Sequence, residues 1–171
     1  MSPAVSRSEM EAEMARYFAA ERAESAVFML CAVAGAGLAA ALLALRSPYR
    51  AMAWPLVAIG LVQLVVGATI FLRTPGQVAR LEERLRSSPS ECRAEETTRM
   101  RRVQRSFVLY KRVEIGLLAL GLAFASIDGY GRTLYAVGLG LMLEASLMLA
   151  LDLRAERRGQ RYLDTVTQLE T

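Results

Sequence analysis

Four long apolar stretches alternate with charged stretches along the chain. The first two, residues 25–45 and 51–72, contain no charged residue. The third and fourth, residues 107–127 and 133–153, are as long but include charged side chains. About 20 apolar residues cross a bilayer core of about 30 Å, and only a helix satisfies its own backbone polar groups in lipid. The pattern therefore predicts four transmembrane helices at these positions.

Two short connections group these helices into hairpins. Residues 46–50 carry a proline and residues 128–132 carry two glycines, which are typical turn formers. The connection between the hairpins, residues 73–106, is longer and charged. The predicted fold is an all-α polytopic membrane protein with four transmembrane helices as two hairpins. Residues 1–171 are expected to form a single membrane domain.

A new helix is expected to begin inside the long linker. Ser88 precedes Pro89, and Glu91 follows three residues after the serine. This spacing is typical of a capping box, in which the serine caps the helix and the glutamate bonds back to the serine N–H. No other breaker precedes Gly116, so one long helix is predicted to run from the linker into the third apolar stretch.

The charged segments, residues 1–24, 73–106 and 154–171, are predicted to be amphipathic helical extensions. Apolar side chains recur there at helical spacing. The clearest stripes contain Met10, Met14, Tyr17, Tyr162 and Val166. Two interpretations stay open: the stripes bury one another in a small bundle, or they form a docking surface for a partner protein.

The distribution of basic residues predicts the orientation in the membrane. Residues 1–24, 73–112 and 154–171 contain three, eleven and four Lys or Arg, whereas the two short connections contain three in total. The positive-inside rule therefore places both termini and the linker in the cytoplasm. It also accounts for the net charge of +4, so membrane lipid is an expected partner and nucleic acid is not.

Polar residues within the apolar stretches are the candidate functional residues. Glu144 and Gln63 lie near the middle of their helices, where a carboxylate costs about 2.5–3.5 kcal/mol on insertion scales. They could form a proton or cation site, or hydrogen-bond as a packing device. Lys111 and Glu114, at i and i+3, are expected to form an ion pair near the cytoplasmic interface, and Arg112 is expected to extend toward the headgroups.

The composition argues against an enzyme. The chain is 54% hydrophobic and has no histidine and only two cysteines. It therefore lacks the residues for His-based catalysis and for most metal-ligand motifs. Cys31 and Cys92 are expected to remain unpaired thiols. No catalytic residue, metal ligand or cofactor is predicted.

The second hairpin resembles a group of small, uncharacterised bacterial inner-membrane proteins with four helices. The similarity lies in the segments YKRVEIGLLALGL and YAVGLGLMLEASLMLALDLRAERRGQRY. Its matching positions are Lys111 and Glu114, Glu144, and Asp152 with Ala155, Glu156 and Arg157. The first hairpin matches poorly, and Glu144 stands where the group has a neutral Gln. The resemblance implies a bacterial inner-membrane location and, because some such proteins occur with toxins, an immunity setting.

Three functional hypotheses follow. The first is a non-enzymatic inner-membrane protein that binds another protein, most concretely an immunity-type protein against a membrane-active toxin. The second is a small oligomeric ion channel or proton-coupled transport subunit that uses Glu144. The third is a structural subunit of a larger membrane complex. A protein partner or a homo-oligomer is expected in each case.

Overall fold

Four long helices make up nearly all of the computed structural model, which describes residues 5–127 and 131–169. The helices are α1 (Arg7–Ala44), α2 (Ala53–Ser87, after a 3-10 turn at Arg50–Met52), α3 (Pro89–Ser126) and α4 (Gly131–Thr167). The all-helical prediction is confirmed. Each helix runs without interruption through a charged segment and an apolar segment of the sequence.

The starts of α1 and α3 differ in their capping. Ser6 caps α1 through a capping box, accepting from the Glu9 N–H at 3.3 Å and donating its own N–H to the Glu9 carboxylate at 2.9 Å. Ser88 precedes α3 as predicted, with Pro89 at the first position, but its side chain makes no capping bond. The Ser88 N–H already donates to the Arg84 carbonyl at the end of α2, so the predicted capping box with Glu91 is wrong.

The helices pack as two hairpins, α1 with α2 and α3 with α4. The inner helices α2 and α4 contact each other, and each also contacts the outer helix of the other hairpin. The backbones of the outer helices α1 and α3 do not approach each other within the described residues, although side chains such as Arg99 and Phe18 meet between them. The arrangement is therefore the same for both hairpins, with α2 and α4 in the centre.

Along their length, the helices divide into two halves of different character. We call the described residues within 25–72 and 107–153 the apolar half, and residues 5–24, 73–106 and 154–169 the charged half. In the apolar half, large apolar side chains lie on the outside; Leu30 is 66% exposed and Trp54 is 77% exposed. The buried positions there hold mostly small residues, together with Gln63, Glu114 and Glu144. This distribution is the reverse of that in a water-soluble bundle.

Three of the four helices are long and apolar enough to cross a membrane. They are α1, α2 with its preceding turn, and α4. Helix α3 does not meet this description because its last 18 residues include Lys111, Arg112 and Glu114. Of the four spanning helices predicted from the sequence, three therefore have the length and composition to span a membrane.

The charged half has its own hydrophobic core, to which all four helices contribute. Its members are Met10, Met14, Tyr17, Phe18, Leu85, Cys92, Met100, Tyr162, Leu163, Val166 and Leu169. The two ends of the described chain meet beside this core, where the Val5 N–H donates to the Gln168 carbonyl at 2.9 Å and Val5 forms a single parallel bridge with Leu169.

Candidate functional site

A buried pair of polar side chains connects the two hairpins in the apolar half. Gln63 on α2 donates from Nε2 to Oε2 of Glu144 on α4 at 2.7 Å, across a sequence separation of 81 residues. The two side chains belong to residues that are only 1% and 3% exposed. The structure therefore brings together the two central polar residues singled out in the sequence.

Helix α1 packs against this pair at Gly35. A Cβ atom built on Gly35 would lie 2.9 Å from Oε1 of Glu144, so a larger residue at this position would displace the carboxyl group. The other amide atom of the pair, Oε1 of Gln63, is buried without a hydrogen-bond partner. The site thus contains a carboxyl group and one unsatisfied carbonyl oxygen, enclosed by α1, α2 and α4.

The expected ion pair between Lys111 and Glu114 is not formed. Lys111 Nζ lies 2.7 Å from both carboxylate oxygens of Glu156 on α4. Side chains on a helix lean toward its N-terminus, so Lys111 leans away from Glu114 and toward the level of Glu156. The predicted ion pair between Lys111 and Glu114 is therefore wrong, while Arg112 lies on the exposed side of α3.

Glu114 lies instead in the interface between α3 and α4. It is 1% exposed, neither of its carboxyl oxygens has a hydrogen-bond partner, and the neighbouring acidic side chain on α4 is Asp152. A second ion pair nearby joins Arg158 on α4 to Glu24 on α1. These contacts form a polar layer where the apolar half meets the charged half.

The sequence locates part of this polar layer, because it places Lys111 and Glu114 near one end of the third apolar stretch. It does not identify Glu156 as the partner of Lys111 or Arg158 as the partner of Glu24. The signal that would have found the Lys111–Glu156 pair is the antiparallel register of α3 and α4, which places Gln104 Nε2 3.2 Å from the Glu156 carbonyl. A register across two helices is not contained in the periodicity of either one.

The five residues considered as a docking stripe lie in the core of the charged half. Met10, Met14, Tyr17, Tyr162 and Val166 are each 4% exposed or less. Tyr17 and Tyr162 stack with ring centroids 4.3 Å apart, and Arg158 lies over the Tyr17 ring at 5.6 Å. In this arrangement they are not a surface for a partner, and the alternative interpretation, a small bundle of mutually buried stripes, describes their positions.

Alkaline pH is expected to destabilise this core. Burial raises the pKa of Tyr17 to about 12 and also raises the pKa of Tyr162. Because the folded state holds these protons more tightly than the unfolded state, stability is complete below pH 10 and falls as the pH rises further. We expect the melting temperature in detergent to fall above about pH 10.

Replacing one of these tyrosines should weaken the pH dependence. Tyr162→Phe removes one of the titrating hydroxyls, and that hydroxyl has no hydrogen-bond partner to lose. Tyr49→Phe is the control, because Tyr49 is 43% exposed. Equal pH dependence of the melting temperature in Tyr162→Phe and in the parent protein would contradict this account.

The fold and the polar pair define the chain as an all-helical bundle with several helices apolar enough to cross a membrane. Within the described residues, no group of three or more His, Cys, Asp or Glu side chains is placed to hold a metal ion. No protein-family model, curated protein or solved structure matches the chain.

Proposed function

We propose that this protein is a four-span integral protein of the bacterial inner membrane, with both termini in the cytoplasm, that acts by binding another protein. The observation that carries the proposal is the reversed distribution of residues in the apolar half. Large apolar side chains such as Leu61, which is 61% exposed, face outward, while glycines and Glu144 are buried. This distribution suits lipid as the surroundings, because small residues let helices approach closely in a bilayer.

The packing of α3 supports its inclusion as the fourth span. Helix α3 lies along α4, and Gly121 of α3 meets Gly138 of α4 at backbone contact distance. If α4 crosses the membrane, the apolar part of α3 lies at the same depth. The charged residues Lys111 and Glu114 of α3 do not need to contact lipid, because Lys111 pairs with Glu156 and Glu114 faces the interface between the helices.

The environment of Glu144 supports binding rather than ion transport. Its carboxyl group is bonded to Gln63 and confined by Gly35, as expected of a packing device. Activity is then expected at the outer surface. An immunity-type protein that neutralises a membrane-active toxin is the most concrete version, because meeting a pore-forming protein within the bilayer needs an apolar surface and no catalytic group.

A transport subunit is the second candidate, and one observation favours it. The unpartnered carbonyl oxygen of Gln63 lies in the same enclosed site as the carboxyl oxygens of Glu144. Oxygen atoms that meet in a dry site are a suitable environment for a cation or a proton. In an oligomer, the Gln63–Glu144 pair would then line or gate the pathway.

Affinity purification from native membranes in mild detergent tests the two candidates. A stoichiometric protein partner that remains bound through size-exclusion chromatography supports the binding function, and a set of large subunits would indicate a structural subunit. A homo-oligomer alone, whose ion flux in liposomes is lost in Glu144→Gln, would overturn the binding proposal. Ion flux should also be measured for Gln63→Glu, the variant matched to Glu144→Gln, because both positions remain polar in it.

Cysteine labelling tests the four-span topology separately. In a Cys31→Ser, Cys92→Ser background, single cysteines at Ser47 and Ser126 should react with a membrane-impermeant maleimide in intact spheroplasts. Single cysteines at Ser87 and Thr165 should react only after permeabilisation. Protection of Ser126→Cys in intact spheroplasts, followed by reaction after permeabilisation, would show that α3 does not cross the membrane.

A further inference from the structure

The outward face of α3 carries a stripe of arginines that the binding function does not use. Arg101, Arg105 and Arg112 are all exposed, and at about 100° per residue they lie within about 40° of one another. The buried face of the same helix, which includes Glu114 and Gly121, is on the opposite side. Among the described residues, no acidic side chain pairs with any of the three arginines.

Of the three arginines, Arg112 has the position that is least favourable for a charge. It lies five residues into the third apolar stretch, which is about 7–8 Å along the helix from Phe107. Its exposed neighbours are apolar: Leu109 is 59% exposed and Val113 is 53% exposed. A permanently charged guanidinium in such surroundings needs an anion or water.

The nearby acidic side chains are not available to Arg112. Glu114 is buried on the opposite face of α3, and Glu156 already binds Lys111 with both oxygens. Because side chains lean toward the N-terminus of a helix, Arg112 leans toward the charged half. On the proposed topology, this direction leads to the headgroups of the cytoplasmic leaflet.

We propose that Arg112 and Arg105 bind the phosphate group of an anionic phospholipid at the cytoplasmic edge of α3. The two residues are seven apart, so they lie two turns, about 10 Å, apart on one face of α3. Arg112 leans toward Arg105, which brings a headgroup between them within reach of both long side chains. The planar guanidinium makes two parallel hydrogen bonds to a phosphate. A lipid without a compensating amine, such as phosphatidylglycerol, fits this pair better than a zwitterionic lipid.

This inference rests on the proposed four-span function, because it needs α3 at the level of the headgroups. It nevertheless has its own readout, the retention of lipid. The purified protein should be transferred to nanodiscs of mixed phosphatidylglycerol and phosphatidylcholine. Native mass spectrometry of the released protein then measures which lipid stays bound and how many molecules.

The parent protein should retain phosphatidylglycerol in preference to phosphatidylcholine. Arg112→Gln should weaken phosphatidylglycerol binding about tenfold, as expected for the loss of a charged hydrogen bond, and Arg105→Gln should weaken it as well. The phosphatidylglycerol affinity of Arg112→Lys should lie between those of the parent and Arg112→Gln, because lysine keeps the charge but loses the bidentate geometry. Arg161→Gln is the control, because Arg161 is also exposed but lies eight residues beyond the fourth apolar stretch.

Equal lipid retention in the parent, Arg112→Gln and Arg105→Gln would overturn the proposal. An equal loss in Arg161→Gln would also overturn it, because it would show an effect of net charge alone. Labelling of Ser126→Cys in intact spheroplasts, carried out with each arginine substitution in the same chain, separates this outcome from a failure of the four-span topology. Normal labelling with no change in lipid retention would refute the lipid site and leave the topology intact.

Discussion

Gly138→Ala is expected to lower the free energy of unfolding by about 1–3 kcal/mol, a range typical of overpacking. A Cβ atom at this position would lie 2.5 Å from the Gly121 carbonyl oxygen and 2.9 Å from the Ala125 backbone nitrogen. Both are backbone atoms, so no side-chain rotation relieves the contact and α3 must move away from α4. Unfolding in mixed micelles of increasing denaturing detergent would measure the loss.

Gly37→Ala is the matched control for this prediction. Gly37 also lies within a long helix of the apolar half, but among the described residues no atom outside the local backbone of its own helix lies within 4 Å of a Cβ built there. The substitution should be neutral or stabilising by up to about 1 kcal/mol, the difference between the helix propensities of alanine and glycine. If the two variants unfold at the same detergent fraction, the close contact between α3 and α4 is not important for stability.

Glu144→Ala is expected to be the second severely destabilising substitution, with a loss of about 3 kcal/mol. It removes the hydrogen bond to Gln63, leaves the buried amide without an acceptor and opens a cavity beside Gly35. Glu144→Gln should lose much less, because its amide keeps an acceptor for Gln63 and adds a donor for the unsatisfied Gln63 oxygen.

A double substitution separates the hydrogen bond from the shape of the site. Gln63→Leu with Glu144→Leu removes both polar groups together and should be more stable than either single leucine variant. The same detergent titration measures all four proteins of this cycle. Strict additivity of the two leucine substitutions would mean that the pair contributes no coupling energy, contrary to its 2.7 Å contact.

Helix content and hairpin pairing were largely predictable from the sequence. Residues 25–45 and 51–72 are long and free of charge, so a helix is the natural conformation for each in lipid. The short, proline-containing turn between the two segments makes their helices antiparallel. The start of α3 at Pro89 was also predictable, because proline fits the first turn of a helix. These features depend on local chemistry that one sequence contains.

The partners of the charged residues were not predictable in the same way. Periodicity places Lys111 and Glu114 near each other on α3, but it does not say which residue of α4 lies opposite them. In the structure Gly121 meets Gly138 at this interface, and such a register is a property of two helices together. The same limit applies to Tyr17 and Tyr162, whose amphipathic stripes fit equally well in a bundle core or on a surface.

The contact of Val5 with Gln168 and Leu169 brings the two ends of the described chain together. A short peptide joining these ends, together with a break at Ser88, would give a chain in which α3 and α4 precede α1 and α2. Such a circular permutant keeps every contact between helices, because each hairpin begins and ends in the charged half. The contacts between the helices therefore do not depend on the order in which the two hairpins follow each other along the chain.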